Sequence, residues 1–418
     1  MRSSPIYVPA PVPEPPYVEP PPVWLPTVSG EIRRIADNNI IGTTTISSVN
    51  PKNDPEANSN YPGTPIWHGG DSMLSIFAFS GPAGFAERVG AHGSLIYQGG
   101  GHGDSGDNSV YAFDIAARRW RRLSNPHEKP QMLNTAYPPP NFDTTWGDYT
   151  DTGNTPHQPH TYAFNQVVKI NGVEHLLMPV SAAAGQQPWN YAGSHKVNLE
   201  SDTPHWERFI LGNSPVGPAG YTAYDTKRNW VWLFTANAST TATNIRCIKL
   251  DEGVFTTFSG GLDYPVAIES SGCYHEAGDL LVHARSNQYD PGDISIRFIR
   301  CDQIGSVNFS TPIQVGTKAK NGGNGSSAGM GIVYCPLDKA LYMTSDLGIW
   351  KLAPPPGAVT PEDYRSGTWT WSQPALSGEA ADVVFNQFQY KSMHWCPEYE
   401  VFIGMENTTV GAVWAFKP

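Results

Sequence analysis

Residues 94–123 read SLIYQGGGHGDSGDNSVYAFDIAARRWRRL, and this stretch predicts three short β-strands in succession. An apolar strand from Ser94 ends in a glycine run, an alternating strand begins at Val110, and a third strand holds Trp120 after a tight turn. This is the strand order of one β-propeller blade. Because a single four-stranded blade cannot bury both of its faces, we expect further blades stacked around an axis.

A hairpin turn followed by a strongly apolar strand recurs along the rest of the chain. It is found at 168–178, 224–234, 274–283, 334–343 and 395–403. Successive units are 50 to 61 residues apart, as from Tyr224 to Tyr274 and from Tyr334 to Trp395. With the first unit, whose inner strand we place at 72–79, the chain holds six blades. The predicted fold class is all-β, a six-bladed propeller.

The last unit, which ends at 413–418, is one strand short, and a strand at 30–36 lies far upstream with no neighbour in sequence to pair with. We expect 30–36 to complete the last blade and close the ring. The chain then divides into a Pro-rich extended arm, residues 1–29, and a propeller, residues 30–418.

The glycine run 99–101, the middle strand 110–114 and Trp120 resemble the kelch repeat, in the first blade fully and in the others only partly. The resemblance implies a kelch-type, galactose-oxidase-like propeller. Propellers of this kind include galactose oxidases, sugar-acid mutarotases, ulvan-type polysaccharide lyases, scaffold proteins and adhesins. The resemblance therefore supports the fold and leaves the activity open.

Composition fits many short strands joined by long turns, since the 418 residues include 41 Gly, 38 Pro and 13 Trp and only 16% are charged. The net charge of −11 argues against a nucleic-acid partner, which would need a basic surface. No run of about 18 apolar residues occurs, so we expect no membrane insertion.

The cysteines are five, an odd number, and are spread about one per blade without a CxxC pair, which is typical of buried thiols in a protein folded under reducing conditions. The first ten residues lack the apolar core of a secretory signal peptide. The loops, in contrast, are rich in Trp, Tyr, Asn and Thr and poor in Lys, as on an exterior surface. A virion component, made in the host cytoplasm and displayed on the virion surface, would combine these features.

Residues 7–26 are Pro-rich, with ten Pro among the first 26 residues, and predict an extended polyproline II arm. Large apolar side chains, among them Tyr7, Tyr17 and Trp24, recur between the prolines. We interpret these three as contacts to other virion proteins. The alternative is a disordered tail, the usual state of a Pro-rich terminus.

The longest loops on one face of the predicted ring are 99–109, 124–158 and 181–193. Their aromatic, amide and carboxylate side chains suit sugar rings, which offer a flat C–H face and a rim of hydroxyls. The predicted ligand-binding residues are His102, Trp146, His160, Tyr162, Trp189 and Tyr191. Alternatively, these aromatics only anchor long loops to the ring.

The hypotheses of a catalytic site and of a metal site have weaker support. A polysaccharide lyase needs a base, an acid and a cation, for which His160, Tyr162 and Arg285 are candidates, but histidines in a propeller more often pack between blades. Asp143 and Asp148 could hold Ca²⁺, although turn aspartates are common and no EF-hand spacing occurs. We therefore assign no catalytic residue, no metal and no cofactor.

These observations predict a bacteriophage virion appendage or decoration protein that is anchored by its arm and binds host or environmental glycans. The alternative is a carbohydrate-active enzyme of the same fold, a polysaccharide lyase or hydrolase. A structural spacer without a ligand is a third possibility.

Overall fold

The computed structural model describes most of the strand framework and fewer of the loops. The described residues are 22–49, 81–98, 109–124, 142–143, 145–146, 148–150, 155–156, 164–179, 193–212, 221–234, 243–262, 271–287, 290–302, 331–345, 348–383, 385, 392–406 and 411–418. Within them no helix has the length and apolarity needed to cross a bilayer.

Six blades form a β-propeller, which confirms the predicted fold class, and their strands pair antiparallel except for one short parallel pairing at the edge of the sixth blade. The strands of the first three blades, from the inner to the outer strand, are as follows. Blade 1 consists of β2 (Gly84–Ala86), β3 (Ser94–Gln98), β4 (Val110–Asp114) and β5 (Arg119–Arg122). Blade 2 consists of β9 (Gln166–Ile170), β10 (Val173–Met178), β11 (Gly193–Asn198) and β12 (Trp206–Leu211). Blade 3 consists of β13 (Tyr221–Asp225), β14 (Trp230–Phe234), β15 (Thr243–Lys249) and β16 (Val254–Leu262).

The remaining blades follow the same order. Blade 4 consists of β17 (Ser271–His275), β18 (Leu280–Asn287) and β19 (Asp290–Arg300). Blade 5 consists of β20 (Gly331–Tyr334), β21 (Leu341–Ser345), β22 (Gly348–Ala353) and β23 (Thr370–Ser372), with the short helix α1 (Pro361–Ser366) before its last strand. Blade 6 consists of β25 (Met393–Cys396), β26 (Val401–Met405), β27 (Val413–Phe416), β1 (Glu31–Ala36) and β24 (Ser377–Gly378).

The ring closes through β1, which pairs antiparallel with β27 and places Ile32 opposite Phe416. This is the pairing expected from the incomplete last unit. The segment after β1 then covers the outer edge of blade 1, where the Trp120 N–H donates to Thr44 Oγ1 at 2.7 Å. Covering this edge satisfies backbone groups of β5 that would otherwise face solvent.

The second strand of each blade is covered on both faces by the two neighbouring blades. In β14 (WVWLF) and β26 (VFIGM) every residue is buried, because both faces pack against other sheets. The outer strand β5 (RWRR) instead buries only Trp120 and leaves Arg119 and Arg121 exposed. This difference explains why continuous apolar runs, rather than alternating ones, marked the repeats in the sequence.

One predicted strand lies outside the described residues, and one helix was not predicted. The innermost described strand of blade 1 is β2, whereas the residues predicted for it, 72–79, lie outside the described part of the chain. Helix α1 was not among the predicted elements. Its N-terminus is capped by Thr360, whose side chain accepts from the Asp363 N–H, while the Asp363 side chain accepts from the Thr360 N–H in return.

The segment before β1 folds back onto the propeller. Leu25 is buried, and Trp24 packs against the core between blades 6 and 1 with the Arg118 guanidinium 5.4 Å from its ring centroid. Glu31 accepts hydrogen bonds from the Thr27 and Val28 N–H groups, which fixes the entry into β1. Tyr7 and Tyr17 lie outside the described residues, so the arm's contacts to a partner stay a prediction.

Candidate ligand-binding site on the loop face

A small three-stranded sheet between blades 1 and 2 positions the one predicted ligand residue that the structure describes, Trp146. Its strands are β6 (Phe142–Asp143), β7 (Asp148–Tyr149) and β8 (Thr155–Pro156). In the turn between the first two, Asp143 Oδ1 accepts from the Thr145 N–H at 2.8 Å and from the Trp146 N–H at 3.3 Å. These bonds hold the turn in an Asx-type conformation and orient Trp146.

Beneath this turn lies a buried acid–base cluster. His195 Nε2 is 3.0 Å from Asp148 Oδ2, and both side chains are fully buried. Arg208 donates from Nε and Nη2 to the two oxygens of Asp148, at 2.7 and 2.8 Å, and from Nη2 to Asp143 at 2.7 Å. One guanidinium therefore ties both carboxylates of the small sheet to blade 2.

The Trp146 side chain packs against this cluster, in contact with Arg208 and His195. The Arg208 guanidinium carbon lies 5.0 Å from the centroid of the Trp146 ring, and His195 meets the ring edge-on at 6.1 Å. Gly193 lets the turn approach, since a Cβ there would lie 2.6 Å from the Trp146 carbonyl oxygen. The half-buried indole is thus fixed by an electrostatic contact on a ring face and by backbone packing.

Burial sets the protonation of the cluster. Desolvation lowers the pKa of His195, an effect only partly opposed by its hydrogen bond to Asp148. Burial by itself would raise the pKa of Asp148, but hydrogen bonds from Arg208 and His195 outweigh it and lower that pKa. Asp148 is therefore ionised and His195 neutral, with its proton on Nε2.

This tautomer leaves His195 Nδ1 as a buried nitrogen lone pair that has no hydrogen-bond partner among the described residues. A neutral imidazole oriented by a carboxylate can accept a hydrogen bond or a proton. The His195 side chain has no exposed surface, so a ligand would have to displace part of the covering loops to reach it. In the described geometry the partly exposed members of the cluster are Trp146, Arg208 and Asp143.

The sequence-predicted site residues fall into two groups. Trp146 is brought together with His195, Arg208 and the two aspartates. The other five, His102, His160, Tyr162, Trp189 and Tyr191, lie outside the described residues. Sequence reasoning missed His195 and Arg208. They lie 47 and 60 positions after Asp148 in the chain, and only the pairing of β11 with β12 places them opposite each other beside it.

Three other histidines, His275, His283 and His394, are packing residues. His275 Nδ1 accepts from the Gly278 N–H, and its Nε2–H donates to the Lys339 carbonyl oxygen of the next blade. His394 Nε2 lies 3.0 Å from the Pro82 carbonyl oxygen, which joins blades 6 and 1, and His283 Nδ1 lies 3.1 Å from Tyr221 Oη. This is the interblade role that propeller histidines were expected to fill.

A second acidic group lies between blades 3 and 4, where Asp225, Asp279 and Cys301 could by distance ligate a metal ion. Arg228 already occupies the position between the carboxylates, at 2.8 Å from Asp225 and 2.7 Å from Asp279. Burial raises the pKa of the Cys301 thiol well above its usual range. A protonated thiol and a bound guanidinium make this group an internal ion pair rather than a cation site.

Comparisons with known proteins give no family for the chain and only distant structural similarities. No protein-family model matches the sequence, and no curated protein matches it significantly. A copper-bound fungal alcohol oxidase of the AA5 family is 8% identical, with a TM-score of 0.42, over 82% of this chain and 75% of the oxidase. Hydrazine synthase from Kuenenia stuttgartiensis is 14% identical, with a TM-score of 0.39, over 74% of this chain and 77% of that one. A protein from Lactobacillus plantarum is 12% identical, with a TM-score of 0.34, over 58% and 65% of the two chains.

Proposed function

We propose that this propeller is a display and binding protein of a bacteriophage virion, which holds neutral glycans on its loop face. The observation that carries the binding part of this proposal is the Trp146 indole, half-buried and held by Arg208 beside two carboxylates. An oriented aromatic ring next to polar groups is the arrangement on which the C–H face of a sugar stacks.

The charge of the cluster favours a neutral glycan over an anionic one. Arg208 is engaged by both Asp143 and Asp148, and His195 is neutral, so the group carries a net negative charge. A uronate or sialic acid would be repelled by this charge and would find the guanidinium already paired. The net charge of −11 on the whole chain acts in the same direction.

The test is glycan binding by Trp146→Ala, on an array and by calorimetry. Loss of one stacking ring should weaken binding by ~1 kcal/mol or more, roughly five- to tenfold in affinity. Trp24→Ala is a matched control. Trp24 is also half-buried beneath a guanidinium, but it lies in the segment before β1, against the core between blades 6 and 1. Equal effects of the two substitutions, or no binding by the unmodified protein, would contradict the proposed site.

The virion part of the proposal rests on the arm, with Tyr7, Tyr17 and Trp24 as contacts to other virion proteins. Since Trp24 and Leu25 pack on the propeller, the arm is tested by deleting residues 1–21 and leaving the described segment in place. The truncated protein should fold normally and fail to join virions. Normal incorporation would exclude residues 1–21, with Tyr7 and Tyr17, as the anchor.

A carbohydrate-active enzyme is the second candidate, favoured by the open lone pair on His195 Nδ1. In a lyase this nitrogen, or His160, would remove the proton at C5 of a uronic acid, and Tyr162 would protonate the leaving oxygen. Release of unsaturated oligosaccharides that is abolished by His195→Gln or by His160→Ala would support catalysis. Absence of such products across acidic polysaccharides would leave the binding function.

A further inference from the structure

A cavity of about 500 Å³ lies on the propeller axis, at the opposite end of the blades from Trp146. The inner strand of every blade contributes to its wall, and the rim is formed by the hairpin turns after these strands, with exposed Glu87, Thr226 and Glu276. Its volume is in the range of about 300–1,000 Å³ typical of small-molecule sites.

Aromatic side chains surround this cavity at one repeated position. One position, at the middle of the inner strand or nearer its hairpin, is aromatic in five blades and is Val168 in blade 2. The five are Phe85, Tyr224, Tyr274, Tyr334 and Trp395. Repetition around the axis therefore places four half-buried rings and the buried ring of Tyr274 along the cavity wall.

The tyrosine hydroxyls of this wall are already used by neighbouring groups. Tyr224 Oη donates to Asn229 Oδ1 at 2.7 Å, and Tyr274 Oη donates to Asp279 at 2.9 Å. The rings therefore contribute apolar and π surface to the cavity, while these hydroxyls remain bound to the turns. A polyhydroxylated ligand would gain few hydrogen bonds from them.

The charge of the lining is negative. Three carboxylates, those of Glu87, Glu174 and Glu276, line the cavity, and Lys169 is the one Lys or Arg among the described lining residues. Lys169 lies 3.2 Å from Glu87, so their charges offset each other and two carboxylates remain in excess. Glu174 is buried and held by the Glu87 and Arg88 N–H groups, which fixes one of these charges inside the wall.

We propose that the axial cavity binds a small organic cation, an ammonium group carried on an apolar frame. Aromatic rings attract a cation through their quadrupoles, and the attraction grows when the cation is withdrawn from water. The surplus carboxylates add a longer-range attraction of the same sign and disfavour anions. This site is independent of the glycan site, since it shares no described residue with the Trp146 cluster.

The probe is choline, compared with its neutral isostere 3,3-dimethylbutan-1-ol in calorimetric titrations of the full chain. Choline should bind at least tenfold more tightly than the isostere, and high salt should reduce this difference. Equal affinity would overturn recognition by charge. No binding of choline up to millimolar concentration would overturn the site.

Variants localise the binding. Glu276→Gln and Trp395→Leu should each weaken choline binding severalfold, because they remove a rim carboxylate and a ring of the wall. Glu398→Gln is the matched control, since Glu398 is exposed on a neighbouring turn and is not part of the cavity lining. Should Trp395→Leu fail to fold, Glu276→Gln at the exposed rim still tests the site.

Cys273 provides a second readout. It lines the cavity and is the only partly exposed cysteine of the five, all of which lie in described strands or turns. Alkylation of Cys273 by a small maleimide should slow several-fold in saturating choline and not in the neutral isostere. Unchanged labelling rates in the presence of bound choline would show that the cation binds elsewhere.

Discussion

Arg34 Nη2 lies 2.6 Å from Glu406 Oε1, across the junction at which the first strand of the propeller joins the last blade. Arg34 also contacts Asp37 at 3.0 Å, so one side chain ties β1, the segment that follows it and the end of β26. Glu406 is almost completely buried. The pair therefore reinforces a closure that also depends on the backbone bonds between β1 and β27 and on the burial of Ile32 and Ile35.

Arg34→Met should lower the free energy of unfolding by about 2 kcal/mol, since it withdraws a charged partner from the buried carboxylate of Glu406. The control is Arg88→Met, because Arg88 and Glu200 form an exposed pair at 3.4 Å that should contribute less than about 1 kcal/mol. Thermal and urea unfolding measure both. Equal effects would mean that the Arg34 pair adds nothing specific to closure.

Deletion of residues 1–40 should destabilise the propeller far more than deletion of residues 1–21. The longer deletion removes β1, exposes the edge of β27 and uncovers Ile32 and Ile35, which are fully buried. The shorter deletion leaves Trp24 and Leu25 in place. Melting temperatures compare the two, and similar losses would contradict closure by β1.

His275 should make stability depend on pH. Burial lowers the pKa of His275 to about 4, whereas the unfolded chain titrates near 6.5. Between these values the unfolded state binds more protons, so stability is fully present above pH 6.5 and is lost as the pH falls toward 4. The loss from this group amounts to ~3 kcal/mol.

The measurement is urea unfolding at several pH values for the parent protein and for His275→Gln, whose pH dependence between 6.5 and 4 should be shallower. His205→Gln is the control, because His205 is exposed. If both variants keep the parent's pH profile, His275 does not carry the proposed linkage.

Arg228 should be essential for the stability of the interface between blades 3 and 4. Arg228→Met would leave Asp225 and Asp279, both buried, facing each other without their shared guanidinium, at a cost of roughly 3–5 kcal/mol. Adding Asp279→Asn should recover part of this loss by removing the repulsion. Denaturant unfolding of the single and double variants tests this, and a double variant less stable than Arg228→Met would argue against charge compensation.

The framework of the fold could be predicted from sequence because each blade carries its own local signal. A turn followed by a fully apolar strand, such as Trp230–Phe234, marks a strand buried on both faces. The strand predicted at 72–79 lies outside the described residues, and β2, the inner strand that the structure describes in blade 1, has only three residues, too few for a periodic pattern. Helix α1 was missed for a similar reason, although the Thr360–Asp363 capping pair was a usable signal.

The candidate site was harder to predict. Trp146 was found because it is a large aromatic residue in a long loop, which is a local property. Its partners His195 and Arg208 belong to strands whose register brings them together only in the folded sheet. The axial cavity was missed because it depends on one position in six blades meeting at the axis.

Gly193 should be required for the position of Trp146. A Cβ at this residue would lie 2.6 Å from the Trp146 carbonyl oxygen and 2.8 Å from its Cε3 atom, so Gly193→Ala must displace the turn or the strand β11. We expect a loss of about 1–3 kcal/mol in the free energy of unfolding, the usual cost of overpacking. The displacement should also loosen the Arg208 contact with the indole.

A double-mutant cycle with Trp146→Ala tests whether the effect passes through the indole. In the Trp146→Ala background the ring is gone and only the carbonyl contact remains, so Gly193→Ala should cost at least ~0.5 kcal/mol less than in the parent. Glycan affinity, where measurable, should fall in Gly193→Ala and show no further fall in the double variant. Strictly additive free energies of unfolding would show that Gly193 and the Trp146 ring do not interact. The close packing of the small sheet on blade 2 would then play no part in orienting the indole.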